Sequence, residues 1–99
     1  MLRIEALTKA GGLISKDRAE TYGDARTSFE CIAALWTAYL RDHAGTDVGC
    51  ITAADVAAMM VLMKVSRLRF AQEYTDSWVD IAGYAALGCE LATEEGVKA

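Results

Sequence analysis

Apolar residues recur at steps of three and four along most of the chain, which is the spacing of one face of an α-helix. The broadest stripe predicts a helix over about 25–41. Its members are Phe29, Ile32, Ala33, Trp36, Tyr39 and Leu40. A shorter stripe predicts a first helix over 2–10 that ends or weakens at Gly11-Gly12. Residues 14–24 and 42–51 lack this periodicity and are predicted to be connectors.

Start signals mark two further helices. Thr52 and Asp55 form a variant of the capping box, which predicts a third helix running to about residue 73. Thr75 or Asp76 is the predicted cap of a last helix that continues to about residue 94. Together these patterns predict an all-α fold, a four-helix antiparallel bundle in a single domain.

The chain carries more apolar surface than a domain of this size needs. It has 99 residues, of which 54% are hydrophobic, and a core this small is marginal by itself. We therefore expect the bundle to be completed by homo-oligomerisation. The small-residue run Ala82-Gly83-x-Ala85-Ala86 is a candidate contact, because Gly83 would permit the close approach of another helix.

Charge and cysteine content restrict the function classes. A formal charge of −4 argues against direct DNA binding through phosphate contacts. The apolar run over 56–63 is too short for a membrane span, so no membrane partner is expected. The three cysteines are an odd number at wide spacing, so no disulfide framework is expected and a reducing, cytoplasmic location is predicted. Cys31 and Cys89 are expected to pack as small hydrophobic residues.

Candidate chemistry concentrates at the start of the last helix. Asp76 and Asp80 are four residues apart and share a face, with Tyr84 one turn further along. Mg²⁺ prefers such carboxylate oxygens together with water and phosphate. A helix cap at Asp76 and a salt bridge at Asp80 are the structural alternatives.

Cations of the preceding helix could neutralise phosphate. Lys64 and Arg67 are three residues apart and share a face, and Arg suits a bidentate grip on an anion. An Arg67–Asp80 ion pair is the structural alternative. In the connector, Arg18 could contact phosphate and Tyr22 could stack on a base, although an ordinary polar loop has the same composition.

The remaining candidates belong to earlier helices. Glu30 and Asp55 lie near helix starts, where acids meet the positive end of the dipole, and they are also candidates to assist a metal ion. Trp36 is a candidate base-stacking residue, with core packing as its alternative. No Walker A, GxGxxG or GxSxG motif occurs.

The combined pattern resembles a family of small phage and prophage proteins of unknown function, over about residues 14–91. The motifs that carry this resemblance are Arg18-x-x-x-Tyr22-Gly23, Phe29-x-x-Ile32-Ala33-x-x-Trp36, Asp55-Val56-Ala57-x-Met59-Met60-x-x-x-Lys64-x-x-Arg67 and Asp76-x-x-x-Asp80-Ile81-Ala82-Gly83-Tyr84. More distantly, the layout is similar to the all-α nucleoside triphosphate pyrophosphatases, the MazG and dUTPase-like group.

The second resemblance implies a Mg²⁺-dependent reaction on a nucleotide. It implies that Asp80 and Asp76 hold the metal and that Lys64 and Arg67 contact phosphate. The earlier helix departs from the ExxE pair of that group, since Glu30 is followed three residues later by Ala33. Three hypotheses therefore stand: a pyrophosphohydrolase, a module that binds a nucleotide without hydrolysing it, and a structural or partner-binding helical protein.

Overall fold

The computed structural model describes residues 1–15, 24–44 and 49–93, and this part of the chain is helical with short connecting turns. Its helices are α1 (Arg3–Leu13), α2 (Ala25–Ala44), α3 (Ala53–Arg67) and α4 (Thr75–Ala92). The predicted all-α class with four helices is confirmed for these residues, which contain no strand. None of the described helices combines the length and the apolar character needed to cross a bilayer.

The predicted capping box at the start of α3 is confirmed. The Asp55 amide donates to Thr52 Oγ1 at 3.1 Å, and the Thr52 amide donates to Asp55 Oδ2 at 2.9 Å. Two amides that lie before the first helical hydrogen bonds are thereby satisfied by side chains. This arrangement fixes where α3 begins.

α3 ends earlier than its sequence predicts, at Arg67 rather than near residue 73. The amides of Leu68, Arg69 and Phe70 donate to carbonyls three residues back, which tightens the chain into a turn. Leu68 is buried while Phe70 is exposed. Burial of Leu68 therefore anchors a turn where continuing helix was expected.

The start of α4 also differs from its prediction. The N-cap is Tyr74, whose side chain makes no capping bond, and Thr75 and Asp76 are already helical. The Trp78 indole Nε1 donates to the Gln72 carbonyl at 2.7 Å. This bond ties the first turn of α4 to the preceding turn in place of the predicted Thr or Asp cap.

Two other helices are longer than predicted. α1 continues through Gly11-Gly12 to Leu13, and α2 runs on to Ala44. Ile14, which follows α1, lies over Gly83 of α4. Packing of the end of α1 against α4 thus offsets the low helix propensity of the two glycines.

α3 and α4 form an antiparallel pair. Lys64 contacts Asp80, whereas Ala57, earlier in α3, lies against Gly88, later in α4. The antiparallel packing predicted for consecutive helices is therefore present here.

α1 runs in the same direction as α4, which departs from the predicted antiparallel bundle. Lys9 contacts Asp76, and further along both helices Ile14 lies over Gly83. Residue numbers therefore increase in the same direction along α1 and α4. An up-and-down bundle would require the first and last helices to run in opposite directions.

The main core lies where α2, α3 and the end of α4 meet. Its buried members are Phe29, Ala33, Ala53, Val56, Ala57 and Leu91. Trp36 and Tyr84 are half-buried against this cluster, and the Tyr84 ring lies 6.3 Å from that of Phe29 between centroids. Alanines make up half of the buried cluster, so the backbones approach closely and few large side chains fill the core.

The cysteine packing prediction is wrong, because Cys31 and Cys89 are exposed. Periodicity placed both residues within helices, but each lies on the solvent side of its helix. Small size and low polarity therefore did not decide burial here.

The close helix approach predicted at Gly83 occurs at Gly88. A Cβ added at Gly88 would lie 3.1 Å from the Ala57 Cβ, whereas one added at Gly83 would lie 3.6 Å from Ile14 Cγ2. The first distance is tighter than ordinary van der Waals contact and the second is not. Gly88 is thus the position where α3 and α4 need a missing side chain.

We predict opposite outcomes for two substitutions on α4. Gly83→Ala should raise the free energy of unfolding by up to about 1 kcal/mol, because alanine favours helix and its methyl group fits. Gly88→Ala should gain less or destabilise, because the Ala57 methyl must move. Urea unfolding of both variants measures the difference, and equal effects would contradict this account of the α3–α4 contact.

Candidate functional site

Lys64 and Asp80 form a direct ion pair between α3 and α4. Lys64 Nζ lies 2.9 Å from Asp80 Oδ2, and the two side chains are 14% and 29% exposed. The partly buried position makes this pair stronger than a fully exposed one. The structural alternative given for Asp80, a salt bridge to the preceding helix, is therefore present. Its partner is Lys64 and not Arg67.

Asp76 faces a different partner. Its Oδ1 lies 3.5 Å from Lys9 Nζ of α1, and its Oδ2 accepts from the Tyr74 hydroxyl at 3.4 Å. Both members of the Lys9–Asp76 pair are about half exposed. The two aspartates thus share a face of α4 while each is neutralised by a lysine from another helix.

The four candidate metal ligands lie toward two ends of α4. Glu30 pairs with Arg26, whose Nη2 donates to the Leu91 carbonyl, so this group lies near the end of α4. Asp55 is held in the capping box at the start of α3, which packs toward the same end. Eleven residues separate Asp80 from Leu91, or about 16 Å of helix. Glu30 and Asp55 are therefore not brought beside Asp76 and Asp80.

Among the described residues there is no group of three or more His, Cys, Asp or Glu side chains placed to hold a metal ion. Asp76 and Asp80 alone could supply two carboxylates. A Mg²⁺ ion held there would need water and phosphate oxygens for its remaining positions.

The other predicted ligand contacts are distributed as follows. Arg67 is exposed in the last turn of α3, and Trp36 and Tyr84 pack against the core. Arg18 and Tyr22 lie outside the described residues. The predicted nucleotide-binding residues thus do not surround one described cavity.

An open groove of about 800 Å³ lies elsewhere, between α2, the start of α3 and the end of α4. Its α2 wall consists of Arg26, Glu30, Ala33, Ala34, Thr37, Ala38 and Arg41. The opposite wall consists of residues 50–54 together with Leu91 and Ala92. Glu30 is the only predicted site residue that lines this groove in the part of the chain that the structure describes.

Thr37 holds the two walls of the groove together. Its hydroxyl donates to the Ala33 carbonyl at 2.7 Å and accepts from the Ile51 amide at 2.9 Å. Thr37 and its bond to Ala33 are buried, and the bond from the Ile51 amide is partly buried. The backbone that leads into α3 is thereby fixed against the middle of α2.

Arginines mark the two ends of the groove. Arg26 donates to Glu30 at 3.3 Å and to the Leu91 carbonyl at 3.4 Å. Arg41 donates to Cys50 Sγ at 3.4 Å. Fifteen residues of α2 separate the two arginines, or about 22 Å between their backbones. The floor between them is lined mainly by alanine.

Sequence reasoning missed Arg26, Arg41, Thr37 and Cys50 as groove residues. Arg26, Glu30, Ala33, Thr37 and Arg41 recur at steps of three and four, so the signal was a second, mixed face of α2. In the sequence that face looks like an ordinary solvated surface. Only the structure shows that the start of α3 lies against it.

This geometry defines a small all-α protein with an open groove that is lined by polar side chains and alanines. The chain belongs to the family described as Domain of unknown function (DUF6378), whose model matches residues 5–92. The description of this family assigns no activity to its members.

The chain is similar to two curated phage proteins. It is 44% identical to the Gene 55 protein of Mycobacterium phage L5 over 81 residues, which are 82% of this chain and 48% of that protein. It is 39% identical to the Gene 55 protein of Mycobacterium phage D29 over 93 residues, covering 93% of this chain and 56% of that protein. The chain thus spans about half the length of these relatives.

The likeness to phage proteins of unknown function, expected from the sequence, is confirmed at this level. No solved structure matches the chain. The distant likeness to all-α pyrophosphatases stays a prediction.

We predict that Thr37→Val loosens the groove wall. The Ile51 amide would lose its acceptor in a partly buried position, which should lower the free energy of unfolding by about 1–2 kcal/mol. Thr8→Val is the matched control, because the Thr8 hydroxyl likewise bonds the carbonyl four residues back but is exposed on α1. Chemical unfolding compares the two, and equal losses would contradict the linking role of Thr37.

Proposed function

We propose that this protein binds a phosphorylated small molecule of the nucleotide class in the groove between α2 and the start of α3. The observation that carries the proposal is an open cavity of about 800 Å³ that has an arginine at each end and small apolar side chains between them. This volume lies within the range of small-molecule sites, which is about 300–1,000 Å³.

The chemistry of the lining supports an anionic ligand with an apolar part. Arginine binds phosphate through paired, charge-assisted hydrogen bonds, and Arg26 and Arg41 line opposite ends. Ala34 and Ala38 on the α2 wall are exposed and leave flat apolar surface against which a base or sugar can pack.

In this proposal the groove arginines take the phosphate-binding role that the sequence suggested for Lys64 and Arg67. Lys64 is engaged by Asp80 on the other side of the α3–α4 pair. Breaking that contact to bind phosphate would leave a partly buried carboxylate without its partner, which is unfavourable. Arg26 also contacts a carboxylate, that of Glu30, but the Glu30 side chain is 58% exposed, so water can solvate it when Arg26 binds a phosphate.

Mg²⁺-dependent pyrophosphate hydrolysis is the second candidate function. It is favoured by the placement of Asp76 and Asp80 one turn apart on one face of α4. In this version Asp76 and Asp80 would hold a Mg²⁺ ion, which would supply Lewis-acid chemistry for phosphoryl transfer to water. A substrate for this reaction would have to reach the start of α4, about 16 Å along the helix from the end that lines the groove.

The binding proposal predicts a loss of affinity on removing one groove arginine. A panel of nucleoside mono-, di- and triphosphates should raise the melting temperature of the wild-type protein, both with and without EDTA. Arg41→Gln should weaken binding about tenfold or more, because a charge-assisted contact to phosphate is lost. Isothermal titration calorimetry gives the affinities.

Arg3→Gln is the control for this experiment, since Arg3 is exposed on α1 and does not line the groove. An absence of any ligand-induced shift in the wild-type protein would refute nucleotide binding and leave a structural role. Equal weakening by Arg3→Gln would place the site elsewhere.

The hydrolysis proposal is tested by pyrophosphate release from (d)NTPs with Mg²⁺ or Mn²⁺. Asp80→Asn should abolish turnover, because a metal ligand is lost, whereas Asp42→Asn on the exposed surface of α2 should leave it unchanged. The melting temperature of each variant separates loss of chemistry from loss of fold. No release by the wild-type protein would remove this function while leaving the binding proposal intact.

A further inference from the structure

In the part of the chain that the structure describes, α3 carries apolar side chains beyond the strip that packs against the other helices. Its sequence contains only three charged residues over fifteen positions. Val56 and Ala57 face the core and are buried. Beside this buried strip, Met59 is 39% exposed, Leu62 65% and Met63 38%. A helix that is apolar all round is normally covered on all sides.

The exposed side of α3 has an ordered row of residues. Asp55, Met59, Met63 and Arg67 follow one another at steps of four, so they form a single ridge along the helix. All four are exposed, and Leu62 lies beside the two methionines. We call Asp55, Met59, Leu62, Met63 and Arg67 the outer face of α3.

The order of charges on this outer face is self-complementary. A negative residue stands at one end, a positive residue at the other, and two methionines lie between them at equal distances from the centre. When such a ridge meets a copy of itself in the antiparallel direction, each acid meets a base and each Met59 meets a Met63. This is the relation that a twofold axis imposes on an interface between identical chains.

We propose that the outer face of α3 docks a second copy of this chain, antiparallel, about a twofold axis midway between Met59 and Met63. Asp55 of each copy then lies beside Arg67 of the other, and the methionines pack in the middle, where their flexible side chains fill gaps well. Antiparallel pairing also places opposite ends of the two helix dipoles together.

The size of the outer face indicates a weak dimer. α3 is about 22 Å long, and one helix pair of this length buries less than the roughly 800 Å² per partner of a standard interface. We therefore expect a monomer–dimer equilibrium at micromolar concentrations. This proposal does not rest on the groove, whose lining contains no residue of the outer face.

This surface differs from the one that the sequence suggested for self-association. The small-residue run of α4 has Gly83 buried under Ile14, and Gly88 lies close against Ala57. Both glycines are used for contacts within the chain. The exposed apolar side chains expected from the composition lie instead on α3.

Sedimentation velocity over a range of concentrations tests the proposal with a matched pair of variants. Leu62→Glu should raise the dimer dissociation constant at least tenfold, because two buried carboxylates would meet near the twofold axis. Leu35→Glu is the control, since Leu35 on α2 is 64% exposed and lies away from the outer face. Both leucines point to solvent, so circular dichroism should show folded helices in each variant.

A charge variant tests the antiparallel order. Arg67→Glu should weaken the dimer severalfold and more strongly at low salt, because each acid at the end of the ridge would meet another acid. Arg69→Glu, just beyond α3, should have little effect. A wild-type protein that stays monomeric at several hundred micromolar would overturn the proposal, and so would a dimer that Leu62→Glu leaves intact.

Discussion

The close contact between α3 and α4 is the constraint on which the rest of the structure depends. Gly88 lets the backbone of α4 approach the Ala57 methyl group, and Val56 beside it is completely buried. With the two helices this close, Lys64 reaches Asp80 further along the same pair. The start of α3 and the end of α4 then stand together opposite α2, and the groove is the space that these three elements leave open.

Among the described residues, two of the helix contacts contain an ion pair. Lys64 and Asp80 join α3 to α4, Lys9 and Asp76 join α1 to α4, and Arg26 reaches the backbone at the end of α4. These contacts use the same residue types that a metal or phosphate site would use. A helical protein with a small, alanine-rich core gains orientation from such pairs, and this is why acidic and basic residues at helical spacing did not by themselves indicate a ligand site.

Residue spacing predicted only part of the candidate site. Spacing correctly suggested that an acid of α4 and a cation of α3 would meet, because i, i+3 and i, i+4 residues share a helix face. It could not assign the partner, and Lys64 rather than Arg67 makes the contact. It also grouped Glu30 and Asp55 with the aspartates of α4, although the antiparallel packing of α3 on α4 places them toward the other end. Arg26 and Arg41 lie on a face of α2 with helical spacing, but only the packing of residues 50–54 against that face shows that it forms a groove wall.

The sequence by itself determined the helical class, the start of α3 and the broad extent of α2, because periodicity and capping act between residues that are close in the chain. Tertiary structure decided what depends on distant contacts. Burial of Leu68 and the Trp78–Gln72 bond accompany the turn between α3 and α4, and packing against α4 carries α1 past two glycines. The parallel course of α1 on α4, the glycine at the tight contact and the position of the groove follow from which faces meet. Those faces are chosen by the packing of all four helices together, and no local pattern contains that information.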